Sequence, residues 1–191
     1  MAISEATKQV FLHHFPRISP EKVNVIYPAS RFGLPGFTQK PKQTKQKVFS
    51  TGKPFLLSIE TIEPRKNQTF LLDVYKEFRD RGGEAIPQVF AGKTGWMMSS
   101  FKDRITASQW ASDIYILGYV SNGELAWLYQ HCLVNLYPSH YEGFGLPVLE
   151  GIEFGAPIIC SNSTSMPEVV GGGEFYSHPM ILMDGLTHSN Q

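Results

Sequence analysis

VNLYPSHYEGFGLPVLEGIEFGAPIICS, residues 134–161, carries a whole supersecondary unit in one line. VNLYP (134–138) is a short apolar run stopped by proline and reads as a buried strand. A glycine-rich loop follows, and then a helix pattern from about Leu146 to Phe154. Pro147 stands at a natural first helical position and Gly155 just past the end. APIICS (156–161) reads as a second buried strand. The same alternation runs upstream. PFLLSI (54–59), PQVFAG (87–92) and IYILG (114–118) read as strands. Between them lie predicted helices over Asn67–Arg81, Trp96–Ser108 and Asn122–His131. The first places Phe70, Leu71, Val74, Tyr75 and Phe78 on one face before Gly82 and Gly83 stop it, and the last carries Leu125, Leu128 and Tyr129. Strands apolar throughout and separated by helices predict an α/β fold, a Rossmann-like parallel sheet with helices on both faces. Ligands of such sheets bind in the crevice beyond the carboxyl ends of the strands.

Further out the pattern is thinner. Ser4 is a cap candidate for a short helix ending before Pro16, and VNVIYP (23–28) is a β-branched run. Residues 1–30 therefore read as a connecting segment plus the first strand of the domain. Residues 31–53, rich in Gly, Pro, Gln, Thr and Lys without periodicity, read as a flexible loop whose lysines are solvated. Residues 54–178 read as the main domain and 179–191 as a tail. The 191 residues, 42% hydrophobic, suffice for one core and not for two full Rossmann-like domains. The 17 Lys and Arg balance the 17 Asp and Glu, so no general attraction to nucleic acid is expected and an anion site must be local. No run of eighteen apolar residues occurs. Cys132 and Cys160 sit in apolar stretches without CxxC spacing and read as reduced core residues. The six histidines make no pair at ligand spacing, so no metal site is expected.

Two clusters carry chemistry. In the first, Gly143 and Gly145 leave backbone amides uncovered at the mouth of the 146–154 helix, where the helix dipole favours phosphate. Glu142 stands ahead of that helix and Glu150 about one turn inside it. Carboxylates there would repel phosphate, but they accept hydrogen bonds from sugar or ribose hydroxyls. In the second, TIEPRKN (61–67) ends the first strong strand. Pro64 sets a turn that brings Arg65 and Lys66 to the start of the next helix, for which Asn67 is a cap candidate. Cations beside a helix start favour a phosphate. AGKT (91–94) ends like a P-loop but has Pro87 where that motif needs glycine, and no GxGxxG follows the first strand. RGG (81–83) is a helix stop.

TIEPRKN (61–67), AGKTGW (91–96), LGYVSNGELAWLY (117–129) and YEGFGLPVLEGIEFGAPIICSNSTSMPEVVG (141–171) resemble the C-terminal, donor-binding domain of retaining GT-B glycosyltransferases of the group 1 or family 4 type. That group includes mannosyl- and glucosyltransferases of bacterial polysaccharide assembly. ISEATKQVFLHHFP and EKVNVIYPAS resemble the segment joining its two domains. The resemblance implies half of a GT-B enzyme that moves a hexose, mannose or glucose, from a nucleotide diphosphate sugar to a glycan or lipid-linked acceptor. Retention of configuration and no bound metal or other cofactor are implied with it. Lys66 with Arg65 would neutralise the diphosphate, and the amides of Gly143, Phe144, Gly145 and Leu146 would meet the donor. Glu142 would face the sugar as the catalytic carboxylate, Glu150 would accept from the ribose, and Tyr119 and Val120 would lie against the base. The acceptor would be held by an N-terminal domain missing from this chain, which alone would be inactive or a binding module. A cytoplasmic setting is implied, with peripheral association of the full enzyme at the inner membrane face left open. The sequence departs from the family at Ser58-Ile59-Glu60, where many relatives have glycine or Gly-Arg, and again after residue 179. An acid at Glu60 would oppose diphosphate binding unless it points away.

Overall fold

A computed structural model of the chain describes residues 1–34, 42, 43, 49, 52–93, 95 and 98–171. Strands β1 (Leu56–Ile59), β2 (Gln88–Ala91), β3 (Ile114–Gly118), β4 (Val134–Tyr137) and β5 (Ile158–Cys160) form one parallel sheet in the order β3-β2-β1-β4-β5. Helices α1 (Glu5–His14), α2 (Gln68–Asp80), α3 (Met98–Thr106), α4 (Asn122–His131), α5 (Leu146–Glu153) and α6 (Met166–Val170) surround it.

Side chains alternate across the strands, and two cores follow from that period. Leu56, Phe90, Val134 and Leu136 point to the face covered by Leu71, Val74, Tyr75 and Phe78 of α2 and Phe101 of α3. Their neighbours Leu57, Ile59, Val89 and Ala91 point to the other face, against Leu125, Leu128 and Tyr129 of α4. At about 1.5 to 3 kcal/mol for each large apolar side chain fully removed from water, these two layers hold the sheet between helices. Val148 of α5, with Tyr137, Cys160 and Met166, makes a third and smaller cluster.

The order of the strands matters for function. From β1 the chain moves to β2 and β3 on one side, then crosses back to β4 on the other. The direction of winding therefore reverses between β1 and β4, where a crevice opens at the carboxyl ends. These two strands pair only through Leu56 with Val134 and Leu57 with Asn135, so they separate toward that end.

Several details differ from the sequence reading. Residues 23–28 do not form a strand of the sheet. Val25 makes a single bridge to Ala2, while Ile26 and Tyr27 are exposed. The β-branched run favours extended backbone, but a strand also needs a partner, and here the partner is only the first residues of the chain. The loop reading of 31–53 overlooks Phe32 and Phe49, both buried in the α4-side core, and Arg31–Gly33 form a 3-10 turn. Asn67 does not cap α2 with its side chain. It adopts a left-handed backbone with φ 57°, and its Nδ2 donates to the Pro138 carbonyl at 3.3 Å. The helix predicted from Trp96 has only its part from Met98 among the described residues, and the 179–191 tail lies outside them. Cys132 and Cys160 are free and buried, and burial pushes their thiols up to about 12 and about 11.

Candidate functional site

The chemistry predicted from the two clusters meets at the β1/β4 crevice. After β1 the chain makes a 3-10 turn over Pro64–Lys66, with proline fixing its first φ. The turn aims Lys66 inward rather than into solvent, its side chain only 10% exposed. Lys66 Nζ donates to Glu142 Oε1 at 2.5 Å and to the Tyr137 hydroxyl at 3.2 Å, and lies 3.6 Å from Glu60 Oε2. Arg65 stays half exposed and donates to Glu142 Oε2 at 3.1 Å, to the Tyr141 carbonyl at 3.1 Å and to Glu63 at 2.6 Å. The His140 amide donates in turn to the Arg65 carbonyl, tying the loop after β4 to the loop after β1.

The loop bearing Glu142 is fixed from three sides. The Glu142 amide donates to Thr164 Oγ1 at 3.0 Å, Ser165 Oγ donates to the Glu142 carbonyl at 3.0 Å, and Thr7 Oγ1 donates to the Gly143 carbonyl at 3.1 Å. Thr164 holds a left-handed φ of 49° to present its hydroxyl. Gly145 has φ 98°, and a Cβ there would stand 2.3 Å from Met166 Cε. The backbone favours glycine here, and any Cβ would also have to displace the end of Met166. Among the described residues, no acceptor pairs with the amides of Gly143, Phe144, Gly145 and Leu146. They lead into α5, whose carbonyl dipoles leave positive partial charge at this end. Phe144 itself is buried, so only its backbone is available.

Glu150 lies on the inner side of α5, its side chain 2% exposed. Arg31 Nε donates to Oε1 at 2.7 Å and Nη2 to Oε2 at 3.1 Å, while the Tyr129 hydroxyl donates to Oε2 at 3.4 Å. Burial beside this carboxylate holds the Tyr129 phenol far above the usual range. Tyr119 is 74% exposed just past β3, and Val120 is partly buried against the α4-side core. The geometry thus brings Arg65, Lys66 and Glu142 into one cluster. Glu150 belongs to a separate ion pair, and Tyr119 and Val120 lie at the end of β3.

Sequence reasoning missed three participants. Arg31 stands in a segment read as featureless loop. Glu60 was named only as a departure, yet it points into the cluster rather than away. Burial pushes its carboxyl well above the usual range, with Lys66 pulling it back and Glu142 adding to the rise. Tyr137 was read as a core strand residue, but its hydroxyl accepts from Lys66. The one available signal was the acid Glu60 itself, standing in the Ser58-Ile59-Glu60 stretch just ahead of the basic pair. Among the described residues no group of His, Cys, Asp or Glu is arranged to hold a metal ion.

A buried carboxylate held by two cations, opposite unclaimed amides at a helix start, is an arrangement for binding anionic and hydroxyl groups together. On this sheet, at this reversal point, it defines a Rossmann-like domain of the GT-B type. The family model for glycosyl transferases group 1 matches residues 39–179, and the chain belongs to that family. It is 39% identical over 137 residues to the O-antigen chain mannosyltransferase B of Escherichia coli, covering 70% of this chain and 35% of that protein. It is 29% identical over 186 residues to the serotype-specific mannosyltransferase WbdA of Escherichia coli, 96% of this chain and 23% of that one. Among solved structures, Anabaena HepE in complex with UDP-glucose has the same fold, with TM-score 0.77 and 17% identity over 100% of this chain and 54% of that one. The C-terminal domain of LpcC, a glycosyl transferase group 1 family protein of Francisella tularensis, matches with TM-score 0.60 and 18% identity over 78% of this chain and 83% of that one. The chain thus spans about a third or less of the length of these two mannosyltransferases.

Proposed function

We propose that this chain is the donor-binding part of a glycosyltransferase that moves a hexose from a nucleotide diphosphate sugar to a glycan or lipid-linked acceptor with retention. The observation that carries this reading is the meeting of Lys66, Arg65 and Glu142 across the β1/β4 crevice, beside the unclaimed amides of Gly143 to Leu146. Those amides and Arg65 receive the diphosphate. Lys66 joins them as Glu142 turns from it to the sugar hydroxyls, which a carboxylate accepts well. Glu150 serves the ribose, and Tyr119 with Val120 the base. The names of the mannosyltransferases it resembles support mannose as one candidate sugar. The acceptor is held by the remainder of a longer, cytoplasmic protein, and holding the two substrates in register supplies on the order of 7 to 11 kcal/mol. The chain alone then binds donor without turning it over, and turnover by the purified chain would contradict that division of labour.

Calorimetric titration with a nucleoside, its diphosphate and the matching nucleotide sugar tests the site. Glu150→Gln should weaken all three alike, by about 1 to 3 kcal/mol. Glu142→Gln should weaken the nucleotide sugar and leave the free diphosphate nearly unchanged. Lys66→Ala should weaken both phosphate-bearing ligands and leave the nucleoside alone. Equal losses for every ligand in every variant would refute the assignment.

A further inference from the structure

Glu60 stands in the candidate site among surroundings that are unusual for an acid. The side chain is fully buried at the end of β1. Oε2 accepts from Ser139 Oγ at 3.2 Å and lies 3.6 Å from Lys66 Nζ, and Oε1 has no partner among the described residues. The charged and titratable groups facing it are Lys66 on the turn after β1, Tyr137 on β4 and Glu142 on the loop after β4. Arg65 reaches the cluster only through Glu142. One hydroxyl and one shared ammonium compensate a buried carboxylate poorly. The ammonium also stands closer to Glu142, at 2.5 Å. The charge of Glu60 therefore depends on where Lys66 directs its own.

We propose that Glu60 is a proton-accepting positioning residue of the donor site: when the diphosphate of a nucleotide sugar engages Lys66, Glu60 takes up one proton. This rests on the reading of Lys66 and Glu142 as donor ligands. The donor brings two negative charges next to a buried acid and draws away Lys66, its one cation among the described residues, and both changes favour the neutral carboxyl. The proton comes from solvent, the carboxylate becomes a carboxylic acid, and no bond of the donor is made or broken. Neutralised, Glu60 stays beside Lys66 without competing with the phosphates for it. The acid at this position is then tolerated because its charge is present only while the site is empty.

The test is calorimetric titration of the 191-residue chain with UDP-glucose and with GDP-mannose between about pH 7 and 9, in two buffers of different ionisation enthalpy. Each phosphate of these donors carries one ester and one anhydride bond and a single ionised oxygen, so both hold constant charge over that range. Binding should show a buffer-dependent enthalpy in the sense of proton uptake, approaching one proton. Affinity should fall with rising pH, at its steepest by about tenfold per unit. Glu60→Gln should abolish the uptake, flatten the profile and bind several-fold more tightly than the parent at the alkaline end. A buffer-independent enthalpy in the parent chain overturns the proposal, and that measurement decides even if the variant does not fold. Uptake that persists in Glu60→Gln places the proton elsewhere and overturns it too. Failure of both donors to bind overturns the donor reading, and this inference with it.

Discussion

Arg31 grips both carboxylate oxygens of Glu150 across 119 residues of chain, so the acid proposed to face a ribose already has a cation of its own. Tyr129 takes a further place on Oε2. A carboxylate offers about four acceptor positions, and among the described residues three are taken here, which leaves one on Oε1. Removal of Arg31 would leave a buried acid with only a tyrosine hydroxyl. Arg31→Ala should destabilise the fold by about 1 to 2 kcal/mol, less than for a fully buried pair because the guanidinium is half exposed. Arg31→Lys should recover little of this, since an ammonium cannot make the forked contact. Urea denaturation measures both, and an unchanged midpoint in Arg31→Ala would show that the pair contributes nothing.

Gly145→Ala should destabilise by about 1 to 3 kcal/mol, from its φ of 98° and from the clash with Met166. Gly155→Ala is the control. It has φ 75° but open space around the absent Cβ, so only the backbone contribution of about 1 kcal/mol should be lost. The difference between the two denaturation midpoints isolates the packing against Met166, and equal losses would mean that Met166 moves aside freely.

The raised carboxyl of Glu60 makes stability depend on pH in a definite direction. An acid whose folded value lies above its unfolded value, near 4.5, binds its proton more tightly in the folded chain. Its contribution is complete below about pH 4.5 and is lost as pH rises toward the folded value. Glu60→Gln should therefore gain on the parent chain between pH 5 and pH 8, read as the shift in thermal midpoint at each. A gap between variant and parent that is the same at both values would fix the acid as ionised in the fold throughout.

Ser121 and Glu124 form a reciprocal cap at the start of α4: the Glu124 amide donates to Ser121 Oγ at 3.4 Å, and the Ser121 amide donates to Glu124 Oε2 at 2.9 Å. That backbone hydrogen bond holds the Glu124 carboxyl below its usual range. Ser121→Ala should lower stability by about 1 kcal/mol. Hydrogen exchange should show the loss first in the opening turn of α4, and a uniform change along the chain would point to some other origin.

The five strands were legible because each is apolar on both faces and bounded by a helix pattern, a signal that sits within a few consecutive residues. The carboxyl edge of the sheet was legible as the place for a site, but the strand order that sets β1 beside β4, and so brings Arg65 and Lys66 to Glu142, is written in no local pattern. Arg31 and Tyr137 were not legible as site residues, because their partners are distant in sequence and no spacing rule reaches that far. Residues 23–28 misled for the opposite reason. Their composition reports a preference for extended backbone, whereas membership of a sheet is settled by which neighbour is present.

The start of α1 is bolted to the far end of the domain. Glu168 of α6 accepts from the amides of Glu5 and Ala6 at 2.8 Å each, and in the same turn the next residue, Thr7, donates to the carbonyl of Gly143. None of the residues of α1 is buried, so these polar fastenings, with Ser4 and the Ala2 bridge, locate it. Mechanically, α1 is a lever whose short arm rests on the loop that carries Glu142. A displacement of that helix would be felt at Glu168 and at Gly143 through these hydrogen bonds, because α1 has no buried side chain to resist it.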